Sequence, residues 1–271
     1  MKRNVHLVGS IGLEDTPTVF RSLGELLGER AKRYPDGETG ERHYWICWQQ
    51  GIFEQHDQFE RVERAERYRP GATLPCFRII EGLEPQEVSI DILGYADAAI
   101  ASYAVFADLT TQGIIPTATR FQVSLPTPVA VITSFILREQ QSWIEPVYER
   151  TMLGELSRIT GAIPHDQLAI QWDVCHEVLA QDGALQLHYD DGLDNTLERL
   201  VRLGASVPEG AELGYHLCYG DSDHKHFQEP IDTATAVAFA NGIAARSTRQ
   251  VNWIHLPVPR ERDDAAHFSP L

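Results

Sequence analysis

Short apolar runs rich in β-branched residues alternate along this chain with longer segments of helical period. The runs fall at residues 4–9, 76–80, 120–124, 168–172, 213–217 and 251–256. Helical spacing covers 91–110, 128–160, 193–204 and 232–246; in 193–204, Leu193, Leu197, Leu200, Val201 and Leu203 make a partial apolar face. An earlier helix places Val19, Phe20, Leu23, Leu26 and Leu27 on one face, with Asp15 or Thr16 as cap and Pro17 near the first turn. It stops before Tyr34-Pro35-Asp36-Gly37, a turn signal. This βαβα alternation predicts a parallel sheet with helices outside it, as a TIM-type (β/α)8 barrel or an open doubly wound sheet. Neither GxGxxG nor a P-loop occurs, which weakens the nucleotide-binding open sheet. No repeat or linker interrupts the chain, so residues 1–271 read as a single domain.

In both architectures ligands bind at the carboxyl ends of parallel strands. That rule selects Gly9-Ser10, Ser124, Asp173, His216 to Cys218, and His255. On a strand, His216 and Cys218 point to the same face, and an imidazole beside a thiolate suits zinc. The alternative is a buried thiol next to a hydrogen-bonded histidine. Asp221, Asp223, His224 and His226 follow as a second polar cluster or a solvated loop. Asp173 ends a mostly apolar run, as a general acid/base, an amine binder, or the N-cap of the next helix. Cys175 and His176 are adjacent and diverge on a helix, so they do not form a nucleophilic pair. The charged loop Asp36-Gly37-Glu38-Thr39-Gly40-Glu41-Arg42 leads into His43-Tyr44-Trp45-Ile46-Cys47-Trp48. Those aromatics predict either a wall that stacks a flat ligand or an amphipathic helix.

Charge changes the picture next. The 23 Lys+Arg against 39 Asp+Glu give a net charge of −16. A general nucleic-acid binder needs the opposite balance, although a local basic pocket for an acidic substrate is compatible with it. No apolar run approaches the ~18 residues of a membrane span. The opening residues lack the long apolar core of a secretory signal, so a cytoplasmic location is expected. The four cysteines, at 47, 76, 175 and 218, are widely spaced without a CxxC pair, and are expected to be reduced thiols.

Several of these positions, taken in order, resemble the catalytic barrel of cobalamin-independent methionine synthase, within the superfamily that includes uroporphyrinogen decarboxylase. Val8-Gly9-Ser10 resembles that family's opening Ile-Gly-Ser strand. Asp36-Gly37-Glu38 with Arg42 resembles its Gly-Glu loop, which implies that Glu38 helps bind an amino acid substrate. Pro128-Val129-Ala130-Val131 with Ser134-Phe135 resembles a Gly-Pro-Val-Thr segment near the folate. Gln171 and Asp173 resemble its Gln-Ile-Asp-Glu-Pro strand end, and His216-Leu217-Cys218-Tyr219 its His-Met-Cys-Tyr, which supplies two zinc ligands. The order agrees from about residue 5 to 256. Where the family has a Glu zinc ligand, this chain offers His255; where it has Glu-Pro after the Asp, this chain has Val174-Cys175.

The resemblance implies zinc-dependent methyl, or related alkyl, transfer to a small thiol, with a reduced folate as donor. Zinc is then expected at His216 and Cys218, with His255 as third ligand or polar neighbour. Asp173 is expected to handle a proton or position an amine, and Ser10, Glu38 and Arg42 to bind substrate. Rival expectations are a metal-free decarboxylase or lyase using Asp173, His216 and Arg42, and a degenerate, non-catalytic ligand-binding barrel. The family's final strand, with its last Cys ligand, has no counterpart before Leu271. Six expected strands fall short of eight, with one more hidden in 39–75. The expectation is a chain that continues beyond Leu271 or a second copy that covers the open sheet.

Overall fold

The computed structural model describes residues 4–63, 74–189, 192–220 and 225–271. In chain order come helix α1 (Thr16–Leu26), strand β1 (Arg33–Pro35), α2 (Gln50–Gln55), β2 (Phe59–Val62), β3 (Cys76–Ile79) and α3 (Tyr95–Thr111). There follow β4 (Arg120–Pro126), α4 (Pro128–Phe135), α5 (Gln141–Ala162), β5 (Leu168–Val174) and α6 (His176–Gln181). The chain continues with α7 (Gly192–Ala205), β6 (Glu212–Leu217), α8 (Ala234–Arg246), β7 (Trp253–His255) and α9 (Ala265–Phe268). Five strands form one parallel sheet in the order β1-β4-β5-β6-β7. Its centre, β5, is buried at every residue, as a strand covered on both faces must be. Around it the helices pack in neighbouring groups: α3 on α1 and α5, α4 on α5 and α6, and α7 on α8.

The parallel register sorts the side chains on one face into rows. Ser124, Gln171, Gly214 and Trp253 are partners in one row. Pro126, Asp173, His216 and His255 are partners in the next, towards the carboxyl ends. Gly214 is required in its row: a Cβ there would lie 1.9 Å from the Trp253 indole. The sheet curls strongly. His6 belongs to the segment alongside β1, at one edge, yet its ring centroid lies 5.6 Å from that of Trp253 on β7, the other edge.

Several expectations are corrected by this arrangement. A closed eight-stranded barrel is absent among the described residues; the parallel sheet has five strands, with β1 and β7 at its edges. Residues 4–9 are not a regular strand. They run beside β1 with two single parallel bridges, Val5 to Ala31 and Ser10 to Gly37. The Val8 carbonyl accepts instead from Gln122 Nε2, Ser124 Oγ and Gln171 Nε2, at 2.8, 3.0 and 2.7 Å. These side chains draw the segment across the sheet and away from a ladder.

The run at 76–80 is a strand, but it pairs antiparallel with β2 in a separate two-stranded sheet. The turn signal at Tyr34-Pro35 conceals β1, whose three residues are too few for a periodic pattern. The segment 128–160 is two helices. Ile136 is extended and Leu137 N donates to Phe77 O at 2.8 Å, so β3 captures the backbone between α4 and α5. In α1 the cap is Asp15, which accepts from Thr18 N at 2.8 Å; Leu26 is exposed, not on the buried face. Asp221, Asp223 and His224 lie outside the described residues, while His226 bonds Glu229 at 3.2 Å.

Candidate functional site

At the carboxyl ends of the sheet the register brings three of the expected residues into one row: Asp173 on β5, His216 on β6 and His255 on β7. His216 Nδ1 and His255 Nδ1 lie 2.8 Å apart, so one ring donates and the other accepts. Burial opposes a charge on His216, but Cys218, Asp173 and Glu38 outweigh it and raise its pKa. Burial, with His216 and His6 adding, pushes His255 down to about 4. Of the two rings, His216 is thus the more basic.

Asp173 is not a helix cap. Its side chain accepts from Gln171 Nε2 at 2.9 Å, and α6 begins three residues later, with Cys175 at the N-cap position and no side-chain cap bond. Burial pushes its carboxyl up to about 8, helped by Glu38 and Cys218 and opposed by His216 and Gln171.

Two residues beyond His216, just past the end of β6, stands Cys218. Its sulfur accepts from Gly220 N at 3.1 Å. The bond from Cys175, then His216, holds its thiol well below the usual range against burial. The same contact, with burial, pushes Cys175 up.

The other expected residues lie in and beside the loop that follows β1. Ser10 Oγ donates to Glu38, whose backbone is in the left-handed region at φ 50°. Asp36 fixes that conformation: it accepts from Glu38 N at 2.9 Å, Ser102 Oγ at 2.7 Å and Arg42 Nη2 at 2.6 Å. Gly37, at φ 83°, allows the turn; a Cβ there would meet Val19 at 2.7 Å. Burial raises the Glu38 pKa, with Asp36 adding and Ser10 opposing. Arg42 thus holds the loop through Asp36. Of the aromatics after it, Tyr44 is exposed, while Trp45 stacks on His176 at 5.8 Å and Trp48 packs on Tyr95 at 4.8 Å.

Cys175 was weighed in the sequence only as a partner of His176, and His6 and Gln122 were not weighed. Cys175 stands two residues after Asp173, as Cys218 stands two after His216, and that parallel spacing was the available signal. His6 bonds Gln171 Oε1 at 3.2 Å and lies 5.7 Å, ring to ring, from His255. Its side chain could be placed only once the segment at 4–10 was known to cross the sheet.

His216 and Cys218 fit zinc in donor type, a neutral-capable imidazole and a thiolate-favouring sulfur on one strand face. Among the described residues no group of three His, Cys, Asp or Glu side chains is disposed to hold a metal ion. What the residues offer is this donor pair, with His255 hydrogen-bonded to one member. Comparison with protein-family models, curated proteins and solved structures returned no match. No helix among the described residues is long and apolar enough to cross a membrane.

Proposed function

We propose that the protein transfers a methyl or related alkyl group to a small thiol, with zinc held by His216 and Cys218. The five-stranded sheet is, on this reading, an arc of a TIM-type barrel. The observation that carries it is the row of Asp173, His216 and His255, with Cys218 beside it, at the carboxyl ends of a parallel sheet. Zinc there supplies Lewis acidity that keeps a thiol deprotonated at neutral pH. His216 and Cys218 hold the ion, and His255 orients His216 through the nitrogen–nitrogen bond. Asp173 carries a proton or receives the substrate amine, and Glu38 with Ser10 takes the polar end. A reduced folate is the donor that the family resemblance implies.

A metal-free decarboxylase or lyase is the second reading. It is supported by Asp173, a carboxyl next to His216 whose pKa burial pushes up to about 8.

Titration of zinc-loaded protein with cysteamine at pH 7, in weak buffer, separates the two. A free thiol, with a pKa of about 8.5, is protonated at that pH, so thiolate binding releases about one proton per thiol bound. Binding without proton release would contradict the transfer reading.

A further inference from the structure

Asp173-Val174-Cys175 and His216-Leu217-Cys218 carry the same alternation on neighbouring strands. Asp173 pairs with His216 and Val174 with Leu217, so the next residues, Cys175 and Cys218, come side by side. The strands are still joined at this level, where Cys218 N donates to Val174 O at 3.0 Å. Adjacent strands lie about 4.8 Å apart, within the Cα separation of about 4.4–6.8 Å that a disulfide spans. Both cysteines are free thiols. Cys175 is buried, whereas Cys218 is partly exposed at the open end of the sheet. The other cysteines are elsewhere: Cys76 on β3, and Cys47 before α2.

We infer that Cys175 and Cys218 are a modification site, a dithiol that a hydroperoxide oxidises to a disulfide. Cys218 sulfur attacks a peroxide oxygen and the O–O bond breaks. Cys218 becomes a sulfenic acid, and with hydrogen peroxide the departing oxygen leaves as water. Cys175 sulfur then attacks Cys218 sulfur. The S–O bond breaks, and the hydroxyl leaves with the Cys175 proton as a second water. Two thiols and one peroxide thus give one disulfide and two waters, with sulfur oxidised and peroxide oxygen reduced. Gly220 N–H, already 3.1 Å from the Cys218 sulfur, holds that sulfur in place for the first attack. The disulfide removes Cys218 as a metal donor, but the inference stands on the two thiols alone and does not require the zinc reading.

The test uses the full chain, reduced and stripped of metal with a chelator, then exposed to hydrogen peroxide. Remaining thiols are alkylated under denaturing conditions and the digest is mapped by mass spectrometry. The expected product is a peptide pair joined through Cys175 and Cys218, lighter by two hydrogens than the reduced pair and restored by dithiothreitol. Cys175→Ser is expected to stop the reaction at a Cys218 sulfenic acid, which dimedone traps. Full alkylation of both thiols after peroxide, or over-oxidation of Cys218 with Cys175 still free, would overturn the inference. If Cys175→Ser fails to fold, the map of the unsubstituted chain decides alone. Because the sample is metal-free, failure here leaves the zinc reading untouched.

Discussion

Arg199→Met is expected to destabilise the protein by about 3 kcal/mol at pH 7, the size of effect seen when one partner of a buried ion pair is removed. Glu145, on α5, has only 4% of its side chain exposed. Arg199, on α7, bonds one of its carboxylate oxygens, and His188 bonds the other at 2.7 Å. Arg199 also lies 4.1 Å over the Tyr189 ring. Methionine fills comparable space but leaves the carboxylate with His188 as its remaining partner. The double change Glu145→Leu with Arg199→Met is expected to recover most of the loss, since an apolar pair can replace a buried ionic one.

The pH dependence has a fixed sign. Burial pushes Glu145 up, but His188 and Arg199 outweigh it, so its folded pKa lies below the ordinary 4.5. A depressed carboxyl contributes stability that is present above the unfolded pKa and lost as pH falls through the folded one. Urea unfolding should therefore show the gap between parent and Arg199→Met narrowing below about pH 4.5. A gap constant from pH 7 to pH 3 would show that the pair is not what the substitution removes.

Asp173→Asn is expected to reduce turnover by about 10²- to 10⁴-fold, the range of a positioned acid or base, with folding preserved. The amide matches the carboxyl in shape, and it can still accept from Gln171 Nε2 through its oxygen. What it cannot do is give up or take a proton beside His216. Because Asp173 lies within β5 and caps no helix, the melting temperature should hardly move. Zinc content should also stay near the parent value. A large drop in melting temperature with turnover intact would assign Asp173 to the scaffold.

How much of this was legible in the chain differs from element to element. β5 and β6 were readable because each is an apolar run bounded by turn signals, and their polar ends, Asp173 and His216 to Cys218, follow from the period of two. β1 was not, because Arg33, Tyr34 and Pro35 carry no alternation and sit against a turn signal. The break between α4 and α5 is tertiary: no Gly or Pro lies between Val129 and Glu145, and the backbone at 136–137 is taken by Phe77. Residues 4–9 have strand composition, yet three side chains from β4 and β5 claim the Val8 carbonyl. In the site, the rule that ligands bind at strand ends already grouped Asp173, His216, Cys218 and His255, whereas the register that pairs them residue by residue was not legible. Cys175 became a neighbour of Cys218 only through the β5–β6 register.

Whether His216 and Cys218 hold zinc is decided by metal analysis of protein expressed in zinc-replete medium and purified without chelator. About one zinc per chain is expected, the stoichiometry of a single mononuclear site. Cys218→Ser should lose most of it, since even residues that merely support a ligand cost about 10- to 100-fold in affinity. His255→Ala should weaken zinc in chelator competition if that ring is a ligand or holds His216 in place. Zinc near zero in the unsubstituted protein would contradict the transfer reading and leave the metal-free acid chemistry of Asp173.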